Sequence, residues 1–158
     1  MKLKIKIKIL NKKCMPVIID KGDWIDLKIW ENFSINKVKT PVYQMLSLGV
    51  AMQLPDGYEA IVVPRSSTFK KYGIMLANSV GIIDNTYCGN EDIWHFPALI
   101  FRDTTIPSFE RICQFRIQLS QKATMWQRIK NFFYSGIKFE VVDNLTNHNR
   151  GGFGSTGR

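Results

Sequence analysis

Tyr58-Glu59-Ala60-Ile61-Val62-Val63-Pro64-Arg65-Ser66-Ser67 sets an apolar run against a proline, followed by a guanidinium and two hydroxyls. Asp56-Gly57 stands just before it, so the run reads as a short strand held between two turns. The same grammar recurs outward in both directions. Pro16-Val17-Ile18-Ile19 lies upstream, Val80-Gly81-Ile82-Ile83 and Pro97-Ala98-Leu99-Ile100-Phe101 lie downstream, and Cys88-Gly89-Asn90 supplies another turn. Many short strands at regular spacing, with little helical periodicity, predict an all-β domain whose expected form is a distorted jelly-roll barrel.

The amino terminus fits that class. Leu3, Ile5, Ile7 and Ile9 alternate with Lys2, Lys4, Lys6 and Lys8, a period of two that points the apolar set inward and the lysines to solvent. The chain has 158 residues, 45% of them hydrophobic, and a formal net charge of +9. That size predicts one domain with a real core. The charge suggests an anionic partner. The lysines read as a solvated strand face that guards an exposed edge against pairing, so no stable nucleic-acid binding is expected. No run is apolar enough for a membrane span or a signal peptide. Cys14, Cys88 and Cys113 are an odd count without metal-type spacing, which fits reduced thiols and a cytoplasmic location.

One segment breaks the rhythm. Over residues 123–134, Met125, Trp126, Ile129, Phe132 and Phe133 recur at helical spacing, with Gln127, Arg128, Lys130 and Asn131 on other faces. A short amphipathic helix is expected there, packed on the β domain or on a neighbouring subunit. The domain is taken as residues 1–143 with this helical insertion, and residues 144–158 as a flexible arm. That arm ends in Arg150-Gly151-Gly152-Phe153-Gly154-Ser155-Thr156-Gly157-Arg158, a composition suited to gripping phosphate with backbone N–H groups, hydroxyls and guanidiniums.

Four other segments carry candidate chemistry. Pro64-Arg65-Ser66-Ser67 makes a phosphate-binding corner at a strand end. In Asn78-Ser79-Val80-Gly81-Ile82-Ile83-Asp84-Asn85-Thr86-Tyr87 an apolar strand delivers Asp84, a candidate general base, to its end. Asn78 carries a donor and an acceptor able to read a base edge, and Tyr87 follows Asp84 by three residues. Within Glu110-Arg111-Ile112-Cys113-Gln114-Phe115, alternation sets Ile112 and Gln114 on one face and Arg111, Cys113 and Phe115 on the other. Gly22-Asp23-Trp24-Ile25-Asp26-Leu27 offers Asp26, and an aspartate near a triphosphate usually means magnesium. For each alone a structural role competes: a capping aspartate, a core tyrosine, a surface turn.

Taken in order, these residues resemble the trimeric dUTPase family, dUTP nucleotidohydrolases that produce dUMP and pyrophosphate. Trp24-Ile25-Asp26-Leu27, Pro64-Arg65-Ser66-Ser67, Gly81-Ile82-Ile83-Asp84-Asn85-Thr86-Tyr87-Cys88-Gly89, Arg111-Ile112-Cys113-Gln114 and the arm look like its five motifs. The wording is most similar to the variant of Bacillus and its phages. The resemblance implies that Asp84 activates the water attacking the α-phosphorus and that Asp26 holds the hydration shell of Mg2+. It implies phosphate roles for Arg65, Ser66, Ser67 and Gln114, a uracil role for Asn78, and stacking of Tyr87 on the deoxyribose. It also implies that Phe153 covers the uracil while Arg150, Gly154, Ser155 and Thr156 grip the outer phosphates. A homotrimer with shared active sites would bind dUTP.

The chain departs from the family wording in places. Trp24-Ile25 replaces small residues, Ser67 stands where glycine is usual, and Arg150 lies three residues before Phe153 while His148 holds the offset of five. His95, in Trp94-His95-Phe96, is a rival for stacking on the base. Two alternatives have discriminating features. A dCTP deaminase shares the fold but needs a glutamate in the strand after the aspartate motif, and residues 96–101 hold none. A regulatory module switched by nucleotide would act on a protein partner and retain that effect in Asp84→Asn.

Overall fold

The structure is a computed structural model that describes residues 1–145 and 148–152. Its elements in chain order are β1 (Leu3–Ile9), β2 (Val17–Ile18), β3 (Ile25–Lys28), β4 (Phe33–Ile35), β5 (Val42–Ser47), β6 (Val50–Gln53), β7 (Tyr58–Pro64), α1 (Thr68–Tyr72), β8 (Ile74–Leu76), β9 (Gly81–Asp84), β10 (His95–Ile100), β11 (Thr104–Ile106), β12 (Arg111–Leu119), α2 (Met125–Phe132) and β13 (Ile137–Val141). The domain is all-β, as expected. Among the described residues its strands form four hydrogen-bonded sheets: β13-β1-β6, β5-β10-β8, β11-β4 and β2-β3-β12-β7-β9.

The apolar run from Tyr58 is β7, which lies in the five-stranded sheet between β12 and β9. Its alternation is real, with Tyr58, Ala60 and Val62 buried. β1 alternates as predicted, Leu3, Ile5 and Ile7 being buried and Lys4 and Lys6 exposed. It is not an edge, however, because β13 pairs with it in parallel and β6 pairs on the other side. The lysines therefore line a solvated face of a central strand, and the expectation that they guard an exposed edge is corrected.

β12 corrects a second expectation. Its register against β3 shifts between Arg111 and Cys113, the mark of a bulge. The bulge interrupts alternation, so Ile112, Cys113 and Phe115 are all buried instead of falling on opposite faces. The core they join includes Trp94 and Phe96, both fully buried, with Trp94 meeting the edge of Phe115 at a centroid distance of 5.3 Å. Cys14, Cys88 and Cys113 are buried. Burial, followed by the Asp26 charge, pushes the Cys113 thiol far up, so it stays protonated.

Helix α2 begins in a capping box: Gln127 N–H donates to Thr124 Oγ1 at 3.3 Å, and Thr124 N–H donates to Gln127 Oε1 at 2.7 Å. Its polar side faces the domain. Gln127 Nε2 donates to the Asp56 carbonyl at 2.9 Å, and Tyr58 Oη donates to Asn131 Oδ1 at 3.1 Å. Gly57, at φ +82°, makes room for that contact, since a Cβ there would lie 2.5 Å from Gln127 Cδ. Met125, Trp126, Ile129, Phe132 and Phe133 are exposed. The apolar face thus turns away from its own β domain, contrary to one of the two packings expected for it. Among the described residues no helix is long and apolar enough to cross a membrane.

Candidate active site

The turn after β8 carries Asn78 and Ser79, the latter left-handed at φ 61°, and Val80 N–H closes the turn on the Asn78 carbonyl at 2.6 Å. β9 leaves this turn along the edge of the five-stranded sheet and ends at Asp84. A cleft of about 270 Å³ opens beside it, lined by Asn78, Asp84, Tyr87, His95, Arg150 and Gly152 among others. Four expected site residues thus share one cavity with the rival His95. Trp94 and Pro97 also line the cleft, and Phe96 lies in the core.

Asp84 is held from two sides. Thr86 donates to Oδ1 through both its N–H, at 2.9 Å, and its hydroxyl, while the Arg150 guanidinium pairs with Oδ2. Burial alone would raise the carboxyl pKa. The Thr86 hydrogen bonds and the Arg150 charge outweigh it and hold Asp84 below its usual value of 3.8. The group is ionised at neutral pH and remains partly open to water. Tyr87 Oη donates to the Ile93 carbonyl at 3.0 Å, which fixes the ring against the cleft, and burial pushes its pKa up. His95 Nδ1 lies 2.7 Å from the same carbonyl.

A second cluster gathers on β3, β7 and β12. Asp26 is 1% exposed. Arg111 Nη1 donates to its Oδ2 at 3.1 Å, and Arg65 Nε stands 3.2 Å from Oδ1 without aiming a hydrogen at it, so that buried oxygen has no hydrogen-bond donor. Gln114 lies opposite Asp26 in the strand register, half-buried. Ser66 and Ser67 precede α1, a five-residue helix too short for sequence periodicity to reveal. Thr68 buries its hydroxyl on the Ile112 carbonyl at 2.6 Å, tying this corner to β12. Two guanidiniums around one carboxylate leave positive charge over for phosphate.

The two clusters do not meet within one chain. Asp26 is level with Gln114 and, one strand further, with Val63, whereas Asp84 is level with Glu59. Four residues along β7 and three strands across separate the two carboxylates by roughly 20 Å.

Metal ligands are sparse. Among the described residues no three His, Cys, Asp or Glu side chains are gathered to hold an ion. Asp26 Oδ1 accepts no hydrogen bond, which leaves it able to accept one from a water molecule in the shell of a hydrated ion.

Sequence reasoning missed two residues. Arg111 reads as an ordinary strand arginine until β12 brings it to Asp26. Asp92 reads as one more polar turn residue in Gly89-Asn90-Glu91-Asp92, yet it is 1% exposed and accepts hydrogen bonds from Gly89, Arg150 and Gly151. Among the arm residues expected to bind substrate, Arg150 borders the cleft, whereas Phe153, Gly154, Ser155 and Thr156 lie outside the described residues.

A prophage-derived deoxyuridine 5'-triphosphate nucleotidohydrolase of Bacillus subtilis is 44% identical over 156 residues, covering 98% of this chain and 99% of that protein. The deoxyuridine 5'-triphosphate nucleotidohydrolase of Escherichia phage T5 is 31% identical, over 97% of this chain and 98% of its own. In fold, a Streptococcus mutans dUTPase crystal structure superposes with a TM-score of 0.66 at 21% identity, covering 75% of this chain and 98% of the other. The dUTPase family model matches residues 25–157, a span that takes in the Asp26 cluster, the Asp84 cleft and the arm, and the chain belongs to the dUTPase family.

Proposed function

We propose that this chain hydrolyses dUTP to dUMP and pyrophosphate. The observation that carries the reading is the convergence of Asn78, Asp84 and Tyr87 on one cleft, with Asp84 ionised and open to water. Asp84 accepts a proton from water as that water attacks the α-phosphorus, and the bond from the α-phosphorus to its bridging oxygen breaks. Pyrophosphate leaves. Tyr87 supports the deoxyribose, leaving no space for a 2′-hydroxyl, and Asn78 reads the uracil edge with donor and acceptor together.

Arg65, Ser66, Ser67 and Gln114 line the phosphates. Asp26 holds the water shell of a Mg2+ ion, which when bound supplies charge neutralisation on the leaving pyrophosphate. The likeness of Arg150-Gly151-Gly152-Phe153-Gly154-Ser155-Thr156 to the family's last motif supports an arm, residues 144–158, that covers the site. In that arm Phe153 lies over the base, while Gly154, Ser155 and Thr156 hold the outer phosphates. The separation of roughly 20 Å between Asp26 and Asp84 supports a homotrimer in which one subunit brings the phosphate cluster to another's cleft. Pyrophosphate release should be far faster from dUTP than from dTTP, dCTP or UTP in the presence of Mg2+. Equal rates would sink the reading.

A further inference from the structure

We propose that Thr86 is a positioning residue for the general base, occupying Oδ1 of Asp84 so that Oδ2 is the oxygen that takes the proton from water. This rests on the reading of Asp84 given above and adds which of its oxygens reacts and what orients it. A carboxylate has about four lone-pair positions, shared equally between its oxygens. The Thr86 N–H donates to Oδ1 at 2.9 Å and the Thr86 hydroxyl donates to the same atom, so both positions on Oδ1 are filled. Oδ2 carries a single contact, from the Arg150 guanidinium, and keeps a position for water. The choice between the oxygens does not depend on that contact, because without it Oδ2 is freer still.

The turn after β9 makes the pairing possible. Asp84 ends the strand, and the Tyr87 N–H closes a turn on the Asp84 carbonyl at 3.2 Å. Two residues is the spacing at which an aspartate side chain accepts from a backbone N–H further along its own turn. Asn85, between the two, donates from Nδ2 to Asp56 Oδ1 at 2.9 Å and ties the turn to the loop before β7. The carboxylate therefore cannot rotate about its last bond without breaking both hydrogen bonds from Thr86.

Other charged groups stand near without competing for Oδ1. Glu59 is level with Asp84 on β7 and accepts from Gln118 Nε2 at 2.8 Å, and Asp56 is engaged by Asn85. Arg150 is on Oδ2, while Tyr87 and His95 share the cleft. Among the described residues only Thr86 donates to Oδ1. Its side chain is exposed, so it adds little to folding and can be changed without disturbing the core. A hydroxyl bonded to an ionised oxygen and fixed by the turn orients that oxygen better than a mobile water molecule does.

Thr86→Val removes the hydroxyl and keeps the side-chain shape and the N–H, whereas Thr86→Ser keeps the hydroxyl. With dUTP and Mg2+, Thr86→Val should lower kcat about tenfold to a hundredfold and leave KM within about threefold. The acid limb of its pH–rate profile should move to higher pH, because one hydrogen bond that favours ionised Asp84 is gone. Thr86→Ser should restore both. An unchanged rate and limb in Thr86→Val would overturn the inference, and so would a Thr86→Ser chain as impaired as Thr86→Val.

Carbon-13 NMR titration of the Asp84 carboxyl in the substrate-free protein gives a reading that turnover does not enter. Its pKa should be higher in Thr86→Val than in the parent and unchanged in Thr86→Ser. Equal values in all three chains would overturn the inference. A parent that does not hydrolyse dUTP would overturn the reading of Asp84 and the role of Oδ2 with it, and the titration would still decide whether Thr86 holds the carboxylate.

Discussion

Replacing Asp84 by asparagine removes the proton acceptor while keeping the shape of the side chain. The amide oxygen that the substitution introduces can still accept from the Thr86 N–H and hydroxyl, so the loop that follows retains its anchor. What is lost is the carboxylate charge facing Arg150 and the ability to take a proton from water. General-base removal costs about 10²- to 10⁴-fold in kcat, equivalent to about 3–5 kcal/mol of barrier. The Asp84 side chain is 43% exposed, so its ion pair adds little to folding, and stability in urea should change by less than about 0.5 kcal/mol. Initial rates of pyrophosphate release and a urea titration on the same preparation separate the two effects. A kcat within about threefold of the parent would refute the assignment. So would a loss of rate matched by a comparable loss of folding.

The acid limb of kcat/KM follows Asp84, which works ionised. Because its pKa is held below 3.8, activity should persist to below the ordinary carboxylate range and fall only as pH drops through the lowered value. Arg150→Ala removes one of the lowering influences and should move that limb to higher pH, and an unmoved pH–rate profile would exclude the contact. Phe115→Ala deletes a fully buried ring that Trp94 meets edge-on, and should cost about 3–5 kcal/mol in chemical denaturation. Thr124→Ala breaks the capping box of α2 and should cost about 1 kcal/mol of stability while leaving turnover unchanged, as the helix stands outside both clusters. Chelation should abolish pyrophosphate release and Mg2+ should restore it, since the ion would supply positive charge to the leaving pyrophosphate that the anionic Asp26 cannot; turnover in excess chelator would remove the metal from the scheme.

Local pattern announced what local physics decides. β1 and β7 alternate because one face of each is buried, and that period of two is written in Leu3, Ile5 and Ile7 and in Tyr58, Ala60 and Val62. β5 shows no such period. Its residues Val42-Tyr43-Gln44-Met45-Leu46-Ser47 are mostly exposed or half-buried, so it exists through pairing with β10, not through pattern. The bulge in β12 likewise arises from its fit to β3 and is invisible in Arg111-Ile112-Cys113. Periodicity revealed the helix at α2 but not its orientation, which Gln127 and Asn131 settle by bonding to Asp56 and Tyr58. That Asn78, Asp84 and Tyr87 lie near one another could be expected from a contiguous segment, and they line one cleft. Asp92 was not legible, since its meaning depends on Arg150 and Gly151, far along the chain.

The central claim is attack by an Asp84-activated water at the α-phosphorus of dUTP. Hydrolysis in water enriched in heavy oxygen, followed by mass spectrometry of both products, tests it most directly. The label should appear in the phosphate of dUMP, with none in pyrophosphate, and the incorporation rate should collapse in Asp84→Asn. Label in pyrophosphate would place the attack at the β-phosphorus and contradict the account.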